Sequence, residues 1–392
     1  MIIEQAKRLD NVGEYYFSSK LAQIKKMQDS GKDIINLGIG SPDMPPSDET
    51  INALIESSKN MKNHSYQSYK GVPELRKGIS SWLHKTYDIN IDPETEILPL
   101  IGSKEGILHI SMAFLNPNDE VLIANPSYPT YSSVSKLVNA NIKTYNLREE
   151  NNWQPDFEEL EKMDLTKVKL MWLNYPNMPT GAKADIKVFE KLVDFAFKHK
   201  ILLCHDNPYS LVLNKEKPIS LLSVKNAKEV CLELNSLSKS HNMAGWRIGW
   251  VSGKKEYIDT ILKFKSNIDS GMFLPVQHAT IQALKNDDDW HNKRNDEYEK
   301  RKFFAKEILK ELNCSFSEEQ EGMFFWAKVP NDIENTEAFI EDILQKSNVF
   351  ITPGFIFGSN GNKYIRISLC CSIERFKLAF DRIKNFKKGI YE

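Results

Sequence analysis

The chain has 392 residues, enough for two domains, and its 41% hydrophobic and 27% charged residues match an ordinary globular protein. The 52 Lys and Arg against 53 Asp and Glu leave a formal net charge of −1. This balance excludes a broad nucleic-acid-binding surface, which needs excess cations, but it is compatible with a local basic pocket for a small anion.

The sequence also favours one cellular compartment. Its five cysteines are an odd number without a CxxC pair, and most lie in apolar runs, as expected of free thiols in a reducing compartment. The N-terminal residues do not resemble a signal peptide, and no apolar run approaches the ~20 residues of a membrane span. No HExxH or paired zinc ligands occur. We therefore expect a soluble cytoplasmic protein without a metal site or membrane contact.

Three segments differ in pattern along the chain. Residues 1–47 are predicted to form an arm, a helix in SSKLAQIKKMQDSG and a strand in DIINLGIG, and to join the C-terminal part. Residues 48–285 are predicted to form a large domain. Residues 286–392 begin with a long charged helix and continue with the strand-like runs MFFWAKV, VFITPG and YIRISL, so they are predicted to form a smaller α+β domain.

Apolar strands alternate with amphipathic helices in the large domain. The predicted strands are EILPLI, EVLIA, VKLMWL, ILLCH, EVCLEL and IGWVS, and helical patterns such as KEGILHISMAFL and IKVFEKLVDFAFKH lie between them. Continuous apolar strands with helices between them indicate a mostly parallel sheet that is covered on both faces. The predicted fold class is therefore α/β.

The residues that follow four of these strands suit one kind of ligand. Ligands of parallel sheets bind beyond the carboxyl ends of the strands. The four strand ends are followed by GSKEG, NYPNMPTG, DNPY and NSLSK. A helix N-terminus suits a phosphate, Asp206 suits a protonated ring nitrogen, and Lys239 suits an aldehyde. Each feature alone is more often structural, but their conjunction at one edge describes pyridoxal phosphate.

These motifs resemble those of a known family. SLSKSHNMAGWRIGW is similar to the signature of the class I/II aminotransferases, the aspartate-aminotransferase-like enzymes of pyridoxal phosphate fold type I. The resemblance recurs in NLGIGSPD, YQSYKGVPELR, GSKEG, NPSYPTY, NYPNMPTG, DNPY and YIRIS, and so covers nearly the whole chain. It implies a mostly parallel, seven-stranded sheet sandwiched by helices, with a smaller α+β domain beside it.

The resemblance, carried across residue by residue, implies the cofactor contacts. Lys239 forms the Schiff base and carries the proton, Asp206 pairs with the pyridinium nitrogen, and Tyr209 donates to the phenolic oxygen. Tyr128 stacks on the ring. The phosphate is held by amides, hydroxyls and cations of Ser103, Lys104, Ser236, Ser238 and Arg247.

The resemblance also implies substrate and subunit contacts. Arg366 holds the substrate α-carboxylate as a bidentate fork, and the backbone N–H of Gly40 donates to the same carboxylate. Tyr66 reaches the phosphate of the neighbouring subunit, so a homodimer is implied. The aromatic arm residues Tyr15, Tyr16 and Phe17 line a substrate pocket or pack within the arm, and packing is the favoured interpretation.

One residue departs from the family pattern. Met178 stands directly before Pro-Thr-Gly, where the family usually has an Asn that donates to the phenolic oxygen. Either Asn177 or Asn174 donates to the phenolic oxygen instead, or Tyr209 is its sole donor. With fewer donors the phenolic oxygen should be more basic, which raises the pKa of the internal aldimine.

The function implied is transamination. An amino group passes between an L-amino acid and a 2-oxo acid by a ping-pong mechanism, and KSNIDSGMF is locally similar to its counterpart in diaminopimelate and aspartate aminotransferases. A C–S β-lyase of the same fold is the alternative, since the same cofactor serves both. A non-catalytic regulator is a remote alternative, because the fold leaves no room for a DNA-binding domain.

Overall fold

The computed structural model describes residues 2–10, 12–13 and 16–391. The strands in this part of the chain are β1 (Ile35–Asn36), β2 (Ile97–Leu100), β3 (Glu120–Asn125), β4 (Asn141–Asn146), β5 (Val168–Leu173), β6 (Leu202–Asp206), β7 (Cys231–Ser236), β8 (Gly249–Gly253), β9 (Phe324–Lys328), β10 (Val349–Phe350), β11 (Thr352–Pro353) and β12 (Tyr364–Ser368). The helices are α1 (Tyr16–Asp29), α2 (Asp48–Lys59), α3 (Pro73–Tyr87), α4 (Ser103–Phe114), α5 (Pro129–Leu137), α6 (Phe157–Glu161), α7 (Ile186–His199), α8 (Leu237–Ser240), α9 (Lys255–Lys265), α10 (Leu274–Ala283), α11 (Asp288–Glu311), α12 (Thr336–Ser347) and α13 (Ile373–Tyr391).

Seven strands form the central sheet, in the order β2-β8-β7-β6-β5-β3-β4. Strand β8 is antiparallel to both of its neighbours, and the other pairs are parallel. The predicted α/β fold with a mostly parallel seven-stranded sheet is therefore confirmed. The edge strand β4, with the sequence NIKTYN, was not among the predicted strands, because it is polar and only partly buried.

Apolar side chains cover both faces of this sheet. Along β5, Leu170 and Trp172 face α4, α5 and α9, whereas Met171 and Leu173 face α3 and α7. Successive side chains of a strand point to opposite faces, so a strand that is buried on both sides must be apolar throughout. The carboxyl ends of the parallel strands consequently meet at one edge, between two helical layers.

A second sheet, β11-β12-β9, lies in the C-terminal part together with α11, α12 and α13. The N-terminal segment contacts this part directly: Ile35 of β1 pairs in parallel with Val349 of β10, and Lys20 of α1 forms a salt bridge of 2.9 Å with Glu341 of α12. Domain boundaries near residues 47 and 285 remain a prediction. None of the described helices is long and apolar enough to cross a membrane.

Candidate active site

A cavity of about 450 Å³ lies at the carboxyl edge of the central sheet. Its walls include ten of the residues singled out in the sequence, namely Ser103, Lys104, Tyr128, Asn174, Asp206, Tyr209, Ser236, Ser238, Lys239 and Arg247. The remaining lining residues are Tyr131, Met178, Pro208 and Ala244. A larger cleft of about 640 Å³, near Trp153 and Trp326, contains none of the predicted site residues.

Asp206 ends β6 and is 5% exposed. The hydroxyl of Tyr131 donates to its Oδ2 at 2.9 Å, while its buried Oδ1 has no hydrogen-bond partner among the described residues. Burial raises the pKa of Asp206 to about 6, against the lowering effects of the Tyr131 hydrogen bond and the nearby His205. A buried acceptor without a donor destabilises the folded protein, and an N–H group of a bound ligand would remove that penalty. The carboxylate thus fits a protonated ring nitrogen.

Lys239 lies on the short helix α8, directly after β7. Its Nζ donates to the carbonyl oxygen of Gly40. Burial lowers the pKa of Lys239, and the charges of Arg366 and Arg247 act in the same direction. A lowered pKa favours the neutral amine, which is the form that attacks an aldehyde.

An anion-binding corner lies where α4 begins. Gly102 precedes the helix with φ +85°, and a Cβ at this position would lie 2.4 Å from Nη2 of Arg247. Ser236 caps α8, since its Oγ accepts from the backbone N–H of Ser238 at 3.1 Å. Free N–H groups of a helix start, hydroxyls and a guanidinium are the donors that a phosphate needs.

Three tyrosines shape the wall of the cavity. Tyr131 stacks on Trp172 with ring centroids 5.0 Å apart, and Tyr128 meets Tyr131 edge to face at 5.6 Å. Tyr209 is buried against Phe324. Tyr131 was not among the predicted site residues, although it follows Tyr128, the residue that precedes α5, by only three positions.

The turn after β5 contains the unusual methionine. Asn174 accepts from the backbone N–H of Met178 at 2.7 Å and donates to the carbonyl of Asp206 at 2.6 Å, so it lines the cavity while it holds the turn. Asn177 accepts from the hydroxyl of Thr180 at 2.8 Å and donates to the carbonyl of Asn174. The structure places Asn177 inside the turn and not in the cavity wall, whereas Met178 lines the cavity.

Arg366 lies beside this wall on β12. Its guanidinium carbon is 3.9 Å from the ring centroid of Phe324 and 4.7 Å from that of Phe357. Nη2 donates to the carbonyl of Gly38 at 2.8 Å, and Nη1 lies 3.1 Å from the sulfur of Met178. Aromatic faces on this planar cation fix its orientation without neutralising its charge.

The remaining predicted residues lie outside the cavity wall. Gly40 approaches it through its contact with Lys239, and Tyr66 is 91% exposed. Tyr15 lies outside the described residues. Phe17, another aromatic residue of the arm, is buried and packs edge to face against Tyr16, with ring centroids 6.1 Å apart.

Comparisons with known proteins agree with this geometry. Residues 32–383 match the family model described as aminotransferase class I and II. The LL-diaminopimelate aminotransferase of Halothermothrix orenii is 40% identical over 98% of both chains, and that of Aquifex aeolicus is 38% identical over 98% of this chain and 100% of its own. The substrate-bound structure of BacF from Bacillus subtilis superposes with a TM-score of 0.93 at 36% identity, covering 98% of both chains.

The open carboxylate oxygen, the buried amine and the anion-binding corner fit the three functional groups of pyridoxal phosphate, the cofactor on which this family depends. Since both the fold and the full-length relatives agree, the chain belongs to the class I and II aminotransferases, near the diaminopimelate aminotransferase branch, and transfers amino groups with pyridoxal phosphate.

Proposed function

We propose that amino transfer in this protein runs in two half-reactions through Lys239, from an L-amino acid to a 2-oxo acid. One observation carries this proposal: the Oδ1 of Asp206, which has no hydrogen-bond partner in the described part of the chain, and the amine of Lys239 border the same cavity. When bound, pyridoxal phosphate supplies a conjugated ring that accommodates the electron pair left by the α-proton.

Each protein group then has a defined part. The Asp206 carboxylate holds a proton on the ring nitrogen, and Tyr131 keeps that carboxylate oriented. Lys239 Nζ removes the substrate α-proton and returns it, because burial favours its neutral form. Tyr209 donates to the phenolic oxygen, and Arg247 anchors the phosphate with the start of α4.

Substrate binding is assigned to Arg366 and Gly40. The aromatic rings on the Arg366 guanidinium leave it oriented for a bidentate contact with an α-carboxylate, to which the Gly40 N–H also donates. LL-Diaminopimelate is the first amino donor to test, since relatives with up to 40% identity are named for it.

A homodimer in the cytoplasm completes the proposal. Apolar side chains are exposed on residues 55–69 and 268–273. These two segments lie side by side, because the rings of His64 and Phe273 are 5.5 Å apart and a Cβ on Gly271 would lie 2.6 Å from the Gln67 carbonyl oxygen. These exposed side chains are Ile55, Met61, Tyr66, Tyr69, Ile268 and Phe273. Such a patch favours a protein interface, through which Tyr66 would reach the phosphate of the other subunit.

Borohydride reduction and peptide mapping test the central assignment. We expect the reduced cofactor to be attached to Lys239 and to be absent from Lys239→Ala. Lys265, a buried lysine paired with Asp269, should stay unlabelled. A panel of amino donors with 2-oxoglutarate then identifies the substrate class. A label on another lysine would contradict the proposal, and pyruvate release from a cysteine conjugate without amino transfer would favour the lyase.

A further inference from the structure

The cleft of about 640 Å³ near Trp153 and Trp326 lies apart from the candidate active site, and we call it the second cleft. Its walls come from segments within residues 149–219 and within residues 315–364. None of the described residues that line it also lines the cavity around Lys239. The proposed amino transfer therefore makes no use of the second cleft.

One side chain of the second cleft is a buried carboxylate without a counter-ion. Glu321 is 5% exposed, and within the described part of the chain its carboxylate forms neither a hydrogen bond nor an ion pair. Neither of its oxygens is fully enclosed, so a ligand in the cleft can reach them. A buried carboxylate is costly unless a positive charge lies beside it, and a cation in the cleft would therefore bind favourably.

The two lysines whose charges act on Glu321 are engaged with other groups. Lys183 forms ion pairs of 3.7 and 3.8 Å with two exposed side chains, Glu216 and Glu319. The buried amine of Lys302 donates to a backbone carbonyl at 2.8 Å. Neither lysine therefore serves as the counter-ion of Glu321.

The lining of the second cleft favours a cation over an anion. Its acidic residues outnumber its lysines, and the other acids already have partners. The hydroxyl of Tyr364 donates to Glu149 and the backbone N–H of Lys187 donates to Asp185, each at 2.8 Å. No cluster of metal-ligating side chains occurs among the described residues, so an organic ammonium ion suits the cleft better than a metal ion. The acidic residues are Glu149, Asp185, Glu216, Glu319 and Glu321, and the lysines are Lys183, Lys217 and Lys328.

Aromatic side chains accompany the carboxylate. Trp326 and Tyr364 stack with ring centroids 5.1 Å apart, and Trp153 meets Tyr364 edge to face at 5.2 Å. All three residues line the second cleft, and Trp153 is only half-buried. Aromatic rings attract organic cations, and their surfaces also pack against apolar stems. A carboxylate and aromatic surfaces in one cleft fit an alkylammonium ion.

We propose that the second cleft binds a small organic ammonium ion, whose N–H group donates to the Glu321 carboxylate while its alkyl stem packs beside Trp153. The site is separate from the amino-transfer site but adjoins the same turn. Thr180 and Gly181 line the second cleft, whereas Met178 lines the cavity around the catalytic lysine. The backbone N–H of Glu321 donates to the Gly181 carbonyl at 2.9 Å, so the backbone beside the carboxylate is anchored to this turn.

Binding should depend on pH through Glu321. Burial raises the pKa of Glu321 to about 7, while the charge of Lys183 lowers it, that of Glu216 raises it and that of Lys302 lowers it. An alkylammonium ion keeps its charge in this range, because the pKa of an amine is about 10. About one-tenth of Glu321 is ionised at pH 6 and about nine-tenths at pH 8, so the ion should bind about tenfold more tightly at pH 8.

Calorimetric titration of the full-length protein with its cofactor tests the site, with N,N-dimethylbutylammonium chloride as the probe. This tertiary amine cannot form a Schiff base, and 1-butanol, which has the same stem without the charge, is the ligand control. The amine should bind in the millimolar range, as expected of so small a ligand, and about tenfold more tightly at pH 8 than at pH 6. Absence of binding at both pH values, or equal binding of the alcohol, overturns the proposal.

Two variants test the part of the carboxylate. Glu321→Gln keeps the shape of the side chain and removes a buried charge, so it should fold. Its affinity for the amine at pH 8 should be lower by about tenfold or more and should no longer depend on pH. Glu319→Gln is the matched control, because that side chain lines the same cleft but is 81% exposed, and its affinity should change by about twofold or less. Equal losses in the two variants contradict the assignment to Glu321.

NMR of the indole ¹H–¹⁵N groups locates the bound amine. The signals of Trp153 and Trp326, assigned with Trp153→Phe and Trp326→Phe, should shift during the titration. The signal of Trp250, which is buried in the central sheet, should not shift. Shifts confined to other tryptophans would place the amine elsewhere and overturn the proposal. These measurements do not depend on amino transfer, so they decide the inference even if the proposed function fails.

Discussion

Replacement of Asp206 by Asn is expected to stabilise the cofactor-free protein. The carboxylate is 5% exposed, and its Oδ1 has no partner among the described residues, so ionisation in the folded state is disfavoured. Asn can still accept the Tyr131 hydrogen bond, and it removes the buried charge. The site therefore trades stability for the ability to hold a proton on the cofactor.

The size of this effect follows from the shift in pKa. Burial raises the Asp206 pKa from 3.8 to about 6. Because the folded-state value is the higher one, the folded protein binds the proton more tightly, and ionisation penalises folding. The penalty is absent below the unfolded value, grows through the interval between the two values, and is complete above the folded value. A shift of roughly two units corresponds to about 3 kcal/mol at pH 8, with roughly half of that present at pH 5.

Urea unfolding of the cofactor-free proteins at pH 5 and pH 8 measures this difference. Asp206→Asn should exceed the wild type in free energy of unfolding, and by more at pH 8 than at pH 5. Asp194→Asn, on the exposed side of α7, is the control and should change neither value. Added cofactor should reverse the order, since ligand binding stabilises in proportion to the logarithm of affinity. A gap of equal size at both pH values, or a less stable variant at pH 8, would refute the reasoning.

Three further substitutions test the cavity walls. Arg366→Lys should lower kcat/KM for the amino acid by about 10- to 100-fold with unchanged cofactor affinity, because lysine lacks the planar fork that binds a carboxylate at two points. Steady-state kinetics measure the first quantity and a cofactor titration the second. An equal loss of kcat/KM and of cofactor affinity would contradict the assignment of Arg366 to the substrate. Met178→Asn should lower the pH midpoint of the visible absorbance band by adding a donor at the phenolic oxygen, and a wild-type midpoint no higher than that of the variant would disprove this. Gly102→Ala should weaken phosphate binding, because its Cβ would lie 2.4 Å from Arg247 Nη2 at a backbone φ of +85°. Gly245→Ala is the control, since its Cβ meets no atom within 4 Å and the variant should bind the cofactor normally. Equal cofactor dissociation constants in the two variants would contradict the assignment of the anion-binding corner.

Much of the fold could be predicted because its strongest signals are local. Helix α7 (Ile186–His199) coincides with its predicted apolar pattern, and the long charged helix α11 (Asp288–Glu311) was also expected. The edge strand β4 (Asn141–Asn146) was missed. One of its sides faces away from the core, so its sequence carries no continuous apolar run.

The sequence by itself determined the set of chemical groups. Asp206 ends one apolar strand and Lys239 follows another, and the order of motifs alone indicates a pyridoxal phosphate enzyme. This is so because parallel strands deliver whatever follows them to a common edge.

Only the tertiary structure decided how those groups are arranged. Strand order and register place Glu233 against His205, 28 positions apart in the chain, and helix packing brings Tyr131 onto Asp206. It also turns Asn177 into the loop and away from the cavity. Such contacts depend on which strands are neighbours in the sheet and on which side chains are buried by packing. A local pattern of residues determines neither property.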